Sequence, residues 1–195
     1  VNAQGQFFVH VVTDAVNEIQ EHHSDGQAEE NNHFVSQPIS RGAFDLVVTT
    51  PAAPAGSDAI GSAQEPVLSG AETTIAWTVT NQGSFQASGT WVDDLFFSLN
   101  DNLAIDDGDV RLAYQDEPGN VGAASAYDAS TTVTLPEWAS DWSADTTFYV
   151  KVRTDKWDQM NEYNDNGTAE TNNISVYRLY MAEAPAVDFD VTGVI

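Results

Sequence analysis

The stretch Thr73-Thr74-Ile75-Ala76-Trp77-Thr78-Val79-Thr80-Asn81-Gln82-Gly83 decides the fold class. Ile75, Trp77 and Val79 fall on one side of an extended chain and Thr74, Ala76 and Thr78 on the other, the period-two pattern of a half-buried strand. Asn81-Gln82-Gly83 then supplies turn chemistry. Working outward, similar runs occur at Phe44–Thr49, Trp91–Leu99, Val110–Tyr114, Tyr127–Leu135, Phe148–Val152 and Ile174–Tyr180, and no helical period is sustained. Adjacent Phe96 and Phe97 predict a strand covered on both faces, and Pro136 ends the run before it. About seven such strands predict an all-β fold, an immunoglobulin-like antiparallel β-sandwich.

Hydrophobic residues make up 42% of the chain, with five Trp, nine Phe and six Tyr, enough for a packed interior. Charge is the extreme feature: 30 Asp plus Glu face 6 Lys plus Arg, a formal net charge of -24. That balance excludes nucleic acid as a partner, because phosphate would be repelled. Self-repulsion on this scale predicts stability that depends on bound cations or on salt. Cysteine is absent, so any metal site must be built from oxygen ligands. The apolar stretches are strand-sized, and no membrane insertion is expected. Val1-Asn2-Ala3 shows no signal-peptide pattern, so an extracellular, cell-surface location is an expectation from chemistry alone.

The chain repeats itself. Phe7 to Asn32 aligns without a gap on Phe148 to Asn173, with roughly eleven of about 26 positions identical. Phe7/Phe148, Val9/Val150, Val11/Val152, Thr13/Thr154, Asp14/Asp155, Glu21/Glu162, Gly26/Gly167, Glu29/Glu170 and the two Asn-Asn pairs are shared. Asp45-Leu46-Val47-Val48-Thr49 is echoed by Asp188-Phe189-Asp190-Val191-Thr192. Residues 1–41 therefore read as the C-terminal part of a preceding repeat, 43–182 as a complete repeat and 185–195 as the start of a following one. A period of about 140 residues implies beads in tandem, with neighbouring repeats of the same protein as partners and homotypic contacts between chains expected at open strand edges.

Trp77-Thr78-Val79-Thr80-Asn81-Gln82-Gly83, Trp91-Val92-Asp93-Asp94-Leu95-Phe96-Phe97-Ser98, Asp106-Asp107-Gly108-Asp109, Asn161-Glu162 and Glu170-Thr171-Asn172-Asn173 together resemble the CARDB family, the cell-adhesion-related domain found in bacteria and archaea. The resemblance spans roughly residues 44–180. It implies an extracellular Ig-like sandwich, found in tandem copies in large adhesins or appended to secreted enzymes, with no catalytic residues to carry over.

Two loops carry the metal chemistry. Between Thr154 and Asn173 a connection of nearly twenty residues holds Asp155, Asp158, Asn161, Glu162, Asn164, Asp165, Glu170 and Asn173, a dense set of hard oxygen donors suited to Ca²⁺. Asp14, Asn17, Glu21, Asp25, Glu29 and Asn32 form its counterpart, with Ser24 and His22-His23 replacing donors. The second loop, Asn100 to Asp109, offers Asp101, Asp106, Asp107 and Asp109, with Asp94 reaching in from a strand, although its spacing departs from the EF-hand pattern. Solvated Asp and Asn turns are the alternative for these loops. All four His lie in the first segment, without zinc-site spacing, and are expected to be exposed.

No Ser-His-Asp, nucleophile-elbow or HExxH arrangement is present, so a non-enzymatic, calcium-stabilised structural or adhesive repeat is expected. The alternative is a carbohydrate-binding module presenting Trp91, Trp138, Trp142 and Trp157 to a glycan or other cell-surface ligand, against which stands a reading of Trp77 and Trp91 as core.

Overall fold

A computed structural model describes residues 5–16, 18–22, 24, 32–50 and 59–186. The chain divides into two compact units, Val1–Ala43 and Phe44–Ile195.

The first unit consists of short antiparallel pairs. β1 (Gly5–Phe7) and β2 (His10–Val12) run out, and β3 (His33–Val35) and β4 (Ile39–Arg41) return, giving β1 paired with β4 and β2 with β3. His10, Val11 and Val12 face Val35, Phe34 and His33. The described histidines of this unit are exposed, and His10 Nδ1 lies 3.0 Å from His33 Nε2.

The second unit contains β5 (Leu46–Thr50), β6 (Ala59–Ile60), β7 (Val67–Leu68), β8 (Glu72–Asn81), β9 (Ala87–Ser98), β10 (Val110–Val121), β11 (Ala126–Thr134), β12 (Phe148–Arg153), β13 (Ile174–Leu179) and β14 (Met181–Ala182). One sheet has the order β10-β9-β12-β13-β6 and the other β11-β8-β5, while β7 and β14 form a short parallel pair. Setting aside the two-residue strands, seven remain among the described residues, and the fold is an antiparallel β-sandwich as predicted. The first unit's hairpin repeats a piece of the second: His10↔Val35, Val11↔Phe34 and Val12↔His33 stand at the aligned positions of Lys151↔Val176, Val152↔Ser175 and Arg153↔Ile174.

Alternation places the core. Ile75, Trp77 and Val79 of β8 point inward and pack with Leu46 and Val48 of β5, Ala129 and Val133 of β11, and the inward residues of the facing sheet. Trp77 and Trp91 are both essentially inaccessible. Trp138 and Trp142 cover the end of the core, making edge contacts with Phe148. Both faces of β9 are covered, as the Phe96-Phe97 pair predicted: Phe97 lies in the core, and outside it the guanidinium groups of Arg111 and Arg153 sit over Phe96.

β10 runs well beyond the predicted Val110–Tyr114, through Pro118 to Val121. Proline cannot donate to a ladder, but β10 is the edge of its sheet and pairs on one side only. Opposite Ser88-Gly89-Thr90 it brings Gly119 beneath the Trp91 ring, whose space a side chain at Gly119 would occupy.

Candidate metal centre

Three of the six cationic side chains, Lys151, Arg153 and Lys156, fall at the end of β12 and just beyond it, and their destinations organise everything around them. Asp93 and Asp94 are consecutive in a strand and so point to opposite faces of the sheet. Asp93 enters the core, where its Oδ2 accepts the Trp77 indole N–H at 2.7 Å and the Tyr127 hydroxyl at 2.7 Å, tying the two sheets together. Its Oδ1 has no partner, and burial pushes its carboxyl above the ordinary aspartate range. Asp94 faces outward beneath a cationic canopy: Arg153 donates to both its oxygens at 3.0 and 2.9 Å, with Lys156 Nζ at 3.6 Å and Arg111 at 4.0 Å. Asp94, a candidate donor to the Asn100 to Asp109 loop, is ion-paired with protein cations in the structure.

That loop is held by Lys151. Its Nζ donates to Asn100 Oδ1 at 3.0 Å, Asn102 Oδ1 at 3.1 Å, the Ala104 carbonyl at 2.7 Å and Asp109 Oδ2 at 3.0 Å. Asp106 holds the loop from the outside, accepting from Asn100 and Asn102 amides and from the Gly108 N–H. The Gly108 bond, followed by those amides, keeps the Asp106 carboxyl below its ordinary range. Asp101 and Asp107 are exposed.

The long loop sorts its predicted ligands into two sets. One set anchors the loop to the start of β5. Glu162 is buried, accepting the Leu46 N–H on Oε2 and the Asn173 amide on Oε1 at 3.1 Å. Asn164 and Asn172 donate to the two oxygens of Asp45 at 3.1 and 2.9 Å, and Tyr163 N–H donates to the Phe44 carbonyl. Asn161 and Asp165 are exposed.

The other set is a carboxylate cluster. Asp155, Asp158 and Glu170 each bring an oxygen within 4.8 Å of the other two. Asp155 is buried and fixed by the N–H groups of Gln159 and Met160, at 3.0 and 2.9 Å on its two oxygens; Asp158 and Glu170 are exposed. Asp155 and Asp158 both adopt left-handed backbone, φ 45° and 52°, a conformation Asp tolerates better than most residues. Glu170 also accepts the Glu162 N–H at 2.6 Å, joining the two sets. Among the described residues no Lys or Arg forms an ion pair with Asp155, Asp158, Glu162 or Glu170.

Electrostatics follow from that arrangement. Burial, reinforced by neighbouring acids, pushes Glu162 up to about 9 and raises Asp155, and partial desolvation at the carboxylate cluster, with Asp158 and Asp155 beside it, pushes Glu170 up to about 7. The donor set fits a hard divalent cation: three carboxylates converge without a counter-ion, and nearby Asn172 and Asn173 each keep a buried Oδ1 without a hydrogen-bond partner.

The first unit repeats the geometry of Asp155 at Asp14. Asp14 has φ 42° and accepts the Glu18 and Ile19 N–H groups at 2.9 Å each, while Thr13 N–H donates to the Asn32 carbonyl as Thr154 N–H does to Asn173. Asn32 Oδ1 also accepts the Thr13 hydroxyl, and Glu21 is half-buried. Asn17, Asp25 and Glu29 lie outside the described residues.

No protein-family model matches the chain, and no curated protein matches it. Among solved structures it matches the crystal structure of the CARDB domain of the PF1109 protein from Pyrococcus furiosus in complex with di-metal ions, at 12% identity and TM-score 0.46, covering 73% of this chain and 97% of that one. The chain is similar to a CARDB domain. The solution NMR structure of that domain matches at 11% identity and TM-score 0.42, again over 73% and 97%. A β-glucosidase from Listeria innocua in complex with glucose matches at 10% identity and TM-score 0.36 over 74% of this chain, which spans 17% of that enzyme.

Proposed function

We propose that the chain is a non-catalytic structural repeat of an extracellular tandem array, with Ca²⁺ bound at Asp155, Asp158 and Glu170 stabilising the fold. The observation that carries this reading is a convergent carboxylate cluster with which, among the described residues, no Lys or Arg pairs, whereas the buried Asp94 and Asp109 carboxylates are paired with protein cations. Deprotonated carboxylates are hard oxygen ligands, and a calcium ion completes its six to eight positions with carbonyls and water. Because the same loop is bonded to Phe44, Asp45 and Leu46, ordering it also fixes the point where the chain enters the second unit. Calcium thereby stiffens the junction between successive repeats. Residues 1–41 are the end of a preceding repeat, supported by the shared register and the shared Asp14/Asp155 turn. Contacts with neighbouring repeats, and adhesion at a cell surface, belong to the same reading.

Calorimetric titration of Ca²⁺ at fixed high ionic strength, paired with melting in chelator, tests it. Ion uptake with a raised Tm is expected; a melting curve unchanged by chelator together with no uptake sinks the metal reading.

A further inference from the structure

A loop that presents Asn100 Oδ1, Asn102 Oδ1 and the Ala104 carbonyl from alternate residues, and adds a carboxylate from Asp109, gathers hard oxygen donors of the kinds calcium takes, although not at EF-hand spacing. The centre of those four oxygens is filled by the Lys151 Nζ, at 2.7 to 3.1 Å. These are N–H···O lengths, longer than the 2.3–2.6 Å of calcium to oxygen. The amide orientations are fixed from both sides, because the Asn100 and Asn102 nitrogens donate to Asp106 Oδ2 while their oxygens face the ammonium. Lys151 and Asp109 are both fully buried as side chains.

We propose that the Asn100–Asp109 loop is a cation cradle whose resident cation is the chain's own Lys151 ammonium, closed to calcium while that side chain is in place. An independent observation shows a surplus of acceptors there. An ammonium has three protons, four oxygens already share them, and Asp109 Oδ1 remains buried without any partner. A cation of higher coordination number uses such a surplus. Removing Lys151 therefore opens a site for a divalent metal at a Kd of about 10⁻⁴–10⁻³ M, the range of weak extracellular calcium modules. While Lys151 is present, this corner of the sandwich stays ordered without metal.

The test counts calcium ions per chain by calorimetry, carried past that concentration range, in the unchanged chain and in Lys151→Met, Asp109→Asn and Lys151→Met/Asp109→Asn. Lys151→Met is expected to bind one ion more than the unchanged chain. It should lose roughly 10 °C of Tm in chelator and recover most of it in calcium. Asp109→Asn alone should leave the ion count unchanged, and the double variant should lack the additional ion. The proposal is overturned if Lys151→Met takes up no further ion, if Asp109→Asn removes one from the otherwise unchanged chain, or if the double variant keeps the extra ion. Should Lys151→Met fail to fold, the same count is read on Lys151→Gln, which also removes the ammonium: one further ion is expected, and no further ion overturns the proposal. Failure of the calcium reading at Asp155, Asp158 and Glu170 gives a different result: no ion on the unchanged chain, and one on Lys151→Met.

Discussion

Around the Lys151 ammonium four oxygens of one acidic loop converge at 2.7 to 3.1 Å, whereas at Asp155, Asp158 and Glu170 three carboxylates of another converge with no protein cation among them. Both loops are rich in Asp and Asn, and both connect strands of the same sandwich. They differ in where the compensating positive charge originates. β12 carries Lys151 and Arg153, with Lys156 just beyond, and these three reach Asp109 or Asp94. The one cation of the loop that follows β12, Lys156, is turned towards Asp94, so the charge of Asp155, Asp158 and Glu170 is met by protons or by an ion from solution. Charge repulsion thus has a built-in remedy at one loop and an external remedy at the other.

The largest effect that can break this comparison comes from Asp109→Asn. Removing one partner of a fully buried pair leaves the Lys151 ammonium uncompensated and is expected to cost about 3–5 kcal/mol. Denaturant melts in calcium and in chelator should show the same loss; a loss confined to calcium would mean that Asp109 serves a metal.

Next in size is calcium itself. At a hundredfold excess over Kd the unchanged chain should gain about 2.7 kcal/mol. That corresponds to a rise in Tm of roughly 5–10 °C for a unit of this size. Hydrogen exchange should place the gain in the loop from Thr154 to Asn173 and leave Asn100 to Asp109 unchanged; protection spread evenly over both would erase the distinction.

Glu170→Gln is expected to remove about 1–2 kcal/mol of the calcium gain, since a neutral amide is a weaker ligand than a carboxylate. In chelator the same substitution should not lower Tm, because it relieves repulsion from Asp158 and Asp155. A loss of equal size in chelator would make Glu170 an anchor of the loop and not a ligand.

A pH dependence is the last test. Glu162 and Glu170 ionise near 4.5 when free of the fold; burial moves Glu162 up to about 9, and partial desolvation beside Asp158 and Asp155 moves Glu170 up to about 7. Between those limits the folded chain keeps protons that the unfolded chain has released, so this stabilisation is complete below about 4.5 and is lost as pH rises through 7 and then 9. In chelator, Tm should fall steadily as pH rises from 6 to 9, and calcium should flatten the decline by binding the deprotonated cluster. Glu162→Gln should also flatten it: a turned Asn173, whose Oδ1 lacks a partner, can accept from the new amide. A pH slope unaltered by Glu162→Gln would assign the titration elsewhere.

Much of this was legible in the residues. The alternation of Ile75, Trp77 and Val79 identified β8 and its core face, and the aligned segments identified hairpins that prove to share register at Val11↔Phe34 and Val152↔Ser175. The same pattern missed the far half of β10, because Pro118 reads as a strand breaker until the edge position of that strand is known. Strand alternation separates Asp94 from Asp93, but it does not show which cations Asp94 meets. What was missing was the outer face: Arg153 stands opposite Asp94 only because β12 lies beside β9.

The sequence by itself determined the sandwich, the duplicated hairpin and the supply of oxygen donors, since strand period, aligned identities and residue chemistry are local properties. Tertiary structure decided which acids are neutralised. Lys151 in an alternating strand carries no sign that its side chain ends among Asn100, Asn102 and Asp109, because that meeting depends on the β9–β12 register pairing Lys151 with Phe96. Likewise Glu162 and Glu170 look equivalent as residues, yet one is buried against Leu46 and the other lies exposed beside Asp158 and Asp155. Coulomb interactions act over a few ångströms of space, and only the fold sets those distances.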